Sequence, residues 1–134
     1  SINKASHTVL AQGLIDMGII KMSLEEVMDP AVGLHKRWTL HGVSHMLGMD
    51  VHDCGAYSEP VAPGEATQSR ILKAGMVLTI EPGLYIRPQP DVPAAFHHIG
   101  IRIEDDAVVT DGGCELITRD VPVAIDAIEA LMAA

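Results

Sequence analysis

From Ile2 to Met17 the apolar residues Ile2, Ala5, Val9, Leu10, Ala11, Leu14 and Met17 recur mainly on one broad face. That spacing predicts a helix over residues 2–20 with Gly18 as its stop. Ser23 to Glu26 spells S-x-x-E, a capping box that opens a short helix ending before Pro30. Trp38 to Leu40 reads as a strand end delivering His41, and residues 54–70, with Gly55, Pro60, Pro63 and Gly64, read as a loop. A turn at Ala74 and Gly75 precedes a strand from Met76 to Glu81, in which Met76, Leu78 and Ile80 share a face. Pro82 and Gly83 break it, Leu84 to Ile86 resumes, and Pro88, Pro90 and Pro93 mark a loop. Ile99, Ile101 and Ile103 then alternate with Gly100, Arg102 and Glu104. Asp105 and Asp106 are expected to turn the chain so that Ala107 to Thr110 returns as the hairpin partner. A second turn at Asp111 to Gly113 leads into Cys114 to Thr118. From Pro122, residues Ile125, Ile128, Leu131 and Met132 predict an amphipathic C-terminal helix. Helix, strands, helix is an α+β order.

The chain has 134 residues, one domain's worth, and is 48% hydrophobic, so a core is affordable. With one Trp, two Tyr and one Phe, that core must be aliphatic. Net charge is −9 and the basic residues form no run, which argues against a nucleic-acid partner. No uninterrupted apolar stretch of ~18 residues points to a membrane span. The N-terminus shows no secretory pattern. Cys54 and Cys114 make no disulfide framework and read as free thiols in a reducing compartment, hence a cytoplasmic protein.

Candidate chemistry concentrates in three places. "HGVSHMLGMDVHD" places His41, His45 and His52 in thirteen residues that end on Asp53. His41 and His45 would share a face if the segment were helical, although Gly42 weakens a helix there. Glu81 ends an apolar strand, and Glu104 lies on an apolar strand with Arg102 two residues before it. A carboxylate in such a place is costly unless paired or bound to a cation. A solvent-exposed strand end for Glu81 and an arginine ion pair for Glu104 remain open alternatives. His7, His35, His97 and His98 read as surface residues, with the last two the best exceptions. One imidazole and two carboxylates, without thiolate, suit Mn²⁺, Co²⁺, Fe²⁺ or Zn²⁺, and bridging carboxylates suit a two-metal site.

Taken in order, "HGVSHMLGMDVHD", "AGMVLTIEPGLYI" and "HIGIRIEDDAVVT" resemble the C-terminal part of the pita-bread metallopeptidases, most closely the aminopeptidase P (Xaa-Pro aminopeptidase) group. The resemblance covers essentially the whole chain. It implies a curved antiparallel sheet with flanking helices, and residues 1–134 as the C-terminal portion of a catalytic domain. It implies His45, Glu81 and Glu104 as metal ligands, with Glu104 bridging two divalent ions, Mn²⁺ by preference and Co²⁺, Zn²⁺ or Fe²⁺ otherwise. His41 and His52 are implied to contact substrate and the tetrahedral intermediate, with Glu81 shuttling the proton. Arg102 is implied to buttress the site near Glu104 and to assist substrate binding, and Tyr85 to form part of the pocket wall. The implied substrates are peptides with proline second.

Ser44, within "HGVSH", favours aminopeptidase P over the prolidases. The group's five-ligand set includes two aspartates that nothing here matches, since Asp16 and Asp29 lie in helical or helix-end text. A fragment of a longer enzyme is therefore expected, inactive alone, with apolar surface left uncovered that favours homo-oligomers or poor solubility. Alternatives are a prolidase (Xaa-Pro dipeptidase) and a non-catalytic peptide-binding module reusing the fold.

Overall fold

A computed structural model describes residues 1–64 and 66–133. The chain divides into two compact units, Ser1–Ser44 with Glu81–Glu104, and His45–Ile80 with Asp105–Ala134. Among the described residues no helix is long and apolar enough to cross a membrane.

In the first unit, helix α1 runs Ile2–Asp16 and buries Ala11 and Leu14. It stops before the expected residue 20 because Gly18 turns into the left-handed region at φ 70°. The Ile19 and Ile20 amides then donate back to the Leu14 carbonyl at 3.0 and 3.1 Å, and both side chains join the core. Helix α2, Leu24–Met28, opens on the expected capping box. Ser23 Oγ accepts from the Glu26 amide at 3.3 Å while Glu26 Oε2 accepts from the Ser23 amide at 2.9 Å. The Ser23 hydroxyl and amide hold the Glu26 carboxyl below its ordinary pKa.

A 3-10 turn at Leu34–Arg37 leads into Trp38, which is 2% exposed and anchors the core with Val27, Ile86 and Val92. No strand forms at Trp38–Leu40, although the Trp38 carbonyl accepts from the Tyr85 amide at 2.9 Å. Arg37 pairs in a fork with Asp91, at 2.6 and 2.7 Å, tying this turn to the proline-rich segment. That segment holds a 3-10 turn of its own, Ala94–Phe96.

In the second unit the short strands β1, Ser58–Pro60, and β2, Thr67–Ser69, pair antiparallel inside the stretch that reads as a loop. Glu65, in that stretch, lies outside the described residues. Strand β3, Val77–Ile80, follows the turn that Gly75 makes at φ 85°. Back in the first unit, β4, Gly83–Ile86, pairs with β5, Ile99–Arg102. In the second, β3 pairs with β6, Asp105–Thr110, and β6 with β7, Gly113–Leu116. Thr110 lies opposite Gly113, which leaves Asp111-Gly112 as a two-residue hairpin turn. Helix α3 spans Ile125–Met132, with Ile125, Ile128, Leu131 and Met132 all exposed.

The expected hairpin between the Ile99 strand and Ala107–Thr110 does not form. Asp105 and Asp106 belong to β6 and face Ile80 and Thr79 on β3, whereas β5 pairs with β4. Pro82 gives the physical reason. It has no amide to donate, so the β3–β6 ladder ends at Ile80 opposite Asp105, and β4–β5 pairing takes over at Gly83 opposite Arg102.

His35 is buried rather than on the surface, and His7 is half-buried, with their rings 5.0 Å apart. Burial, then the charges of His35 and Lys36, hold the His7 imidazole below its ordinary pKa. The unfolded chain therefore takes up this proton more readily than the folded one. The stability contributed by neutral His7 is complete above the unfolded value of about 6.5 and is lost as pH falls through it toward the folded value. In urea unfolding at stepped pH, the wild-type midpoint should drop on acidification more steeply than that of His7→Gln. Parallel curves would remove His7 from this account.

Candidate metal centre

Residues 41–47 form no helix, so His41 and His45 are not placed by a shared helical face. In the first unit the Glu81 amide donates to the Val43 carbonyl at 2.8 Å. In the second the Thr79 amide donates to the His45 carbonyl at 3.0 Å, and the Leu47 amide to the Val77 carbonyl at 3.1 Å. Extended backbone, rather than a helical turn, therefore presents each histidine.

In the first unit His41 Nδ1 donates to the Gly42 carbonyl at 2.7 Å. A carbonyl can only accept, so in neutral His41 the proton sits on Nδ1 and Nε2 accepts from the Tyr85 hydroxyl at 2.8 Å. Gly83 makes this pair possible. A Cβ there would stand 2.8 Å from Tyr85 Oη and 2.9 Å from His41 Nε2, closer than real Cβ contacts come.

Glu81 is 8% exposed, while Glu104 is exposed. Glu81 is therefore not a solvated strand end. The resemblance implies Arg102 as a buttress near Glu104. Its guanidinium lies by Glu81, Nη1 to Oε2 at 3.8 Å, since β5 pairs with β4 and brings Arg102 opposite Gly83.

In the second unit His45 Nδ1 donates to the Met46 carbonyl at 2.9 Å. This fixes the tautomer that carries its lone pair on Nε2, the usual arrangement of a metal-binding histidine. The His45 amide donates to Thr79 Oγ1 at 3.1 Å. The exposed His52 ring lies 4.2 Å from the His45 ring, centroid to centroid, tilted by 54°.

Of the three residues that the resemblance implies as metal ligands, Glu81 and Glu104 belong to the first unit and His45 to the second. One imidazole nitrogen and carboxylate oxygens fit Mn²⁺, Co²⁺, Fe²⁺ or Zn²⁺, and the His45 tautomer fits that role. His7 and His35 lie in the first unit, His35 buried. Sequence reasoning passed over Thr79 and Gly83. The only signals were a hydroxyl inside the strand "VLTI" and a glycine opening another.

Residues 1–111 match metallopeptidase family M24. The chain is 46% identical over 126 residues to Xaa-Pro aminopeptidase of Escherichia coli, covering 94% of this chain and 26% of that protein. The structure of Pseudomonas aeruginosa aminopeptidase PepP matches with TM-score 0.84 and 42% identity, over 98% of this chain and 28% of that one. Zinc-substituted Escherichia coli aminopeptidase P in complex with product matches with TM-score 0.79 and 45% identity, over 95% of this chain and 27% of that one. The chain thus spans about a quarter of the length of the curated relatives it matches.

Gly83→Ala should destabilise the protein by about 1–3 kcal/mol in denaturant unfolding, because the added methyl meets two rings. Nitrogen chemical shifts of the His41 ring should report Nδ1–H in the wild type and a changed Nε2 resonance in Tyr85→Phe. An unmoved Nε2 signal would contradict the His41–Tyr85 bond.

Proposed function

The chain belongs to metallopeptidase family M24, and on that premise we propose that the protein carrying it is a two-metal Xaa-Pro aminopeptidase, which hydrolyses the bond between an N-terminal residue and proline. The observation that carries the reading is the His45 ring, whose Nδ1 donates to the Met46 carbonyl and which therefore carries its lone pair on Nε2, in a chain whose motifs also supply Glu81 and Glu104. In this reading His45, Glu81 and Glu104 would hold the metals, the resemblance implying Glu104 as the shared ligand. Bound divalent ions, Mn²⁺ by preference, supply Lewis-acid activation of a water and of the scissile carbonyl.

The remaining work falls to the protein's own groups. A Glu81 carboxylate oxygen takes the proton of the attacking water and returns it to the leaving amine. Arg102, beside Glu81 at 3.8 Å, faces the substrate. His41, its ring held between the Gly42 carbonyl and the Tyr85 hydroxyl, contacts the substrate. His52, exposed beside His45, contacts the substrate. We place the protein in the cytoplasm, where the free, exposed Cys54 and Cys114 would persist as thiols. Self-association of copies is part of the reading, since exposed apolar residues such as Ile101, at 58%, favour it.

Full-length protein assayed on Xaa-Pro-Xaa peptides should release the first residue, lose activity to a chelator and regain it with Mn²⁺. Glu104→Gln should lower turnover by orders of magnitude with loss of bound metal. The 134-residue chain alone should be inactive, because the resemblance implies five ligands and three are present. Hydrolysis of Xaa-Pro dipeptides alone would make the protein a prolidase. Peptide binding without metal, unchanged by Glu104→Gln, would make it a non-catalytic module.

A further inference from the structure

Thr79 is the third of the four residues of β3 and is 1% exposed. A buried position in an apolar strand is ordinarily best filled by valine, which has the same branched shape and no polar atom to satisfy. Threonine here costs a hydroxyl that must find partners. Its bonds say why it stands there. The Thr79 amide donates to the His45 carbonyl at 3.0 Å, as a sheet ladder would have it. The return bond is not a ladder bond: the His45 amide donates to the Thr79 side-chain oxygen at 3.1 Å. Both backbone polar groups of His45 are thus tied to one residue, and one tie needs a side chain that valine lacks.

We propose that Thr79 is a positioning residue for the metal ligand His45, setting the backbone from which the imidazole is aimed. This rests on the reading of His45 as a ligand given above. His45 is held at three points: its backbone amide donates to Thr79 Oγ1, its backbone carbonyl accepts from the Thr79 amide, and its ring Nδ1 donates to the Met46 carbonyl at 2.9 Å. Taking away the hydroxyl leaves the His45 amide without its acceptor. The segment then shifts to find another, and Nε2 moves with it. Groups that orient a ligand from outside the coordination sphere typically change metal affinity by about 10–100-fold when removed.

The test is a Mn²⁺ titration of full-length protein, followed by the electron paramagnetic resonance signal of free Mn²⁺, with no substrate present. Thr79→Val should bind Mn²⁺ about 10-fold more weakly or worse. Thr79→Ser, which keeps the hydroxyl, should bind as the wild type does. Val77→Ala, on the same strand but without a bond to His45 from its side chain, should lower the unfolding midpoint and leave Mn²⁺ affinity unchanged. If Thr79→Val binds like the wild type, the positioning role is wrong and the metal reading stands. Equal weakening in Val77→Ala would reduce Thr79 to a contributor to strand stability and overturn the proposal. If the wild type binds no Mn²⁺, the metal reading fails and this inference falls with it.

Discussion

The Glu81 carboxylate is 8% exposed at the end of the apolar strand Val77–Ile80. An ionised carboxylate so far from water costs several kcal/mol unless opposite charge and donors replace its hydration. Much of the nearby sequence makes sense against that cost. Arg102 stands opposite Gly83, two residues beyond Glu81, and its guanidinium reaches the carboxylate at 3.8 Å while remaining half exposed. That contact is long for a full ion pair.

Proline at 82 is the local device that makes such a glutamate possible. A strand that continued through this point would commit every amide to a ladder. Without an amide, Pro82 ends the pairing of β3 with β6 and lets β4 begin afresh against β5. Gly83 then removes the side chain that would collide with His41 and Tyr85. The motif E-P-G is thus one buried carboxylate followed by two residues chosen for what they lack. The resulting strands carry the fold of the aminopeptidase P structures, of which this chain represents somewhat more than a quarter.

Much of this was legible in the sequence, and the failures share causes. Ser23 with Glu26, Gly18 and Asp111-Gly112 are local signals whose physics closes within a few residues, and each appears as expected. The alternation of Ile99, Ile101 and Ile103 marked a strand, yet alternation fixes faces and not partners, so β5 was assigned the wrong neighbour. Strands β1 and β2 are three residues each with Pro60 among them, too short and too proline-marked to stand out from a loop. His35 looked like a surface histidine because its burial against α1 and α2 is tertiary. At the site, His45, Glu81 and Glu104 could be named as candidates from residue type and motif. The partner of Arg102 could not, since it depends on strand pairing. Thr79 hid because threonine and valine read alike in a strand.

The central claim is that His45, Glu81 and Glu104 bind divalent metal. Anomalous diffraction from crystals of the full-length protein grown with Mn²⁺, recorded on either side of the manganese absorption edge, tests it most directly. The account predicts manganese peaks at bonding distance from His45 Nε2 and from the carboxylates of Glu81 and Glu104. Peaks confined to other residues, or none in crystals that diffract well enough to show them, would contradict it.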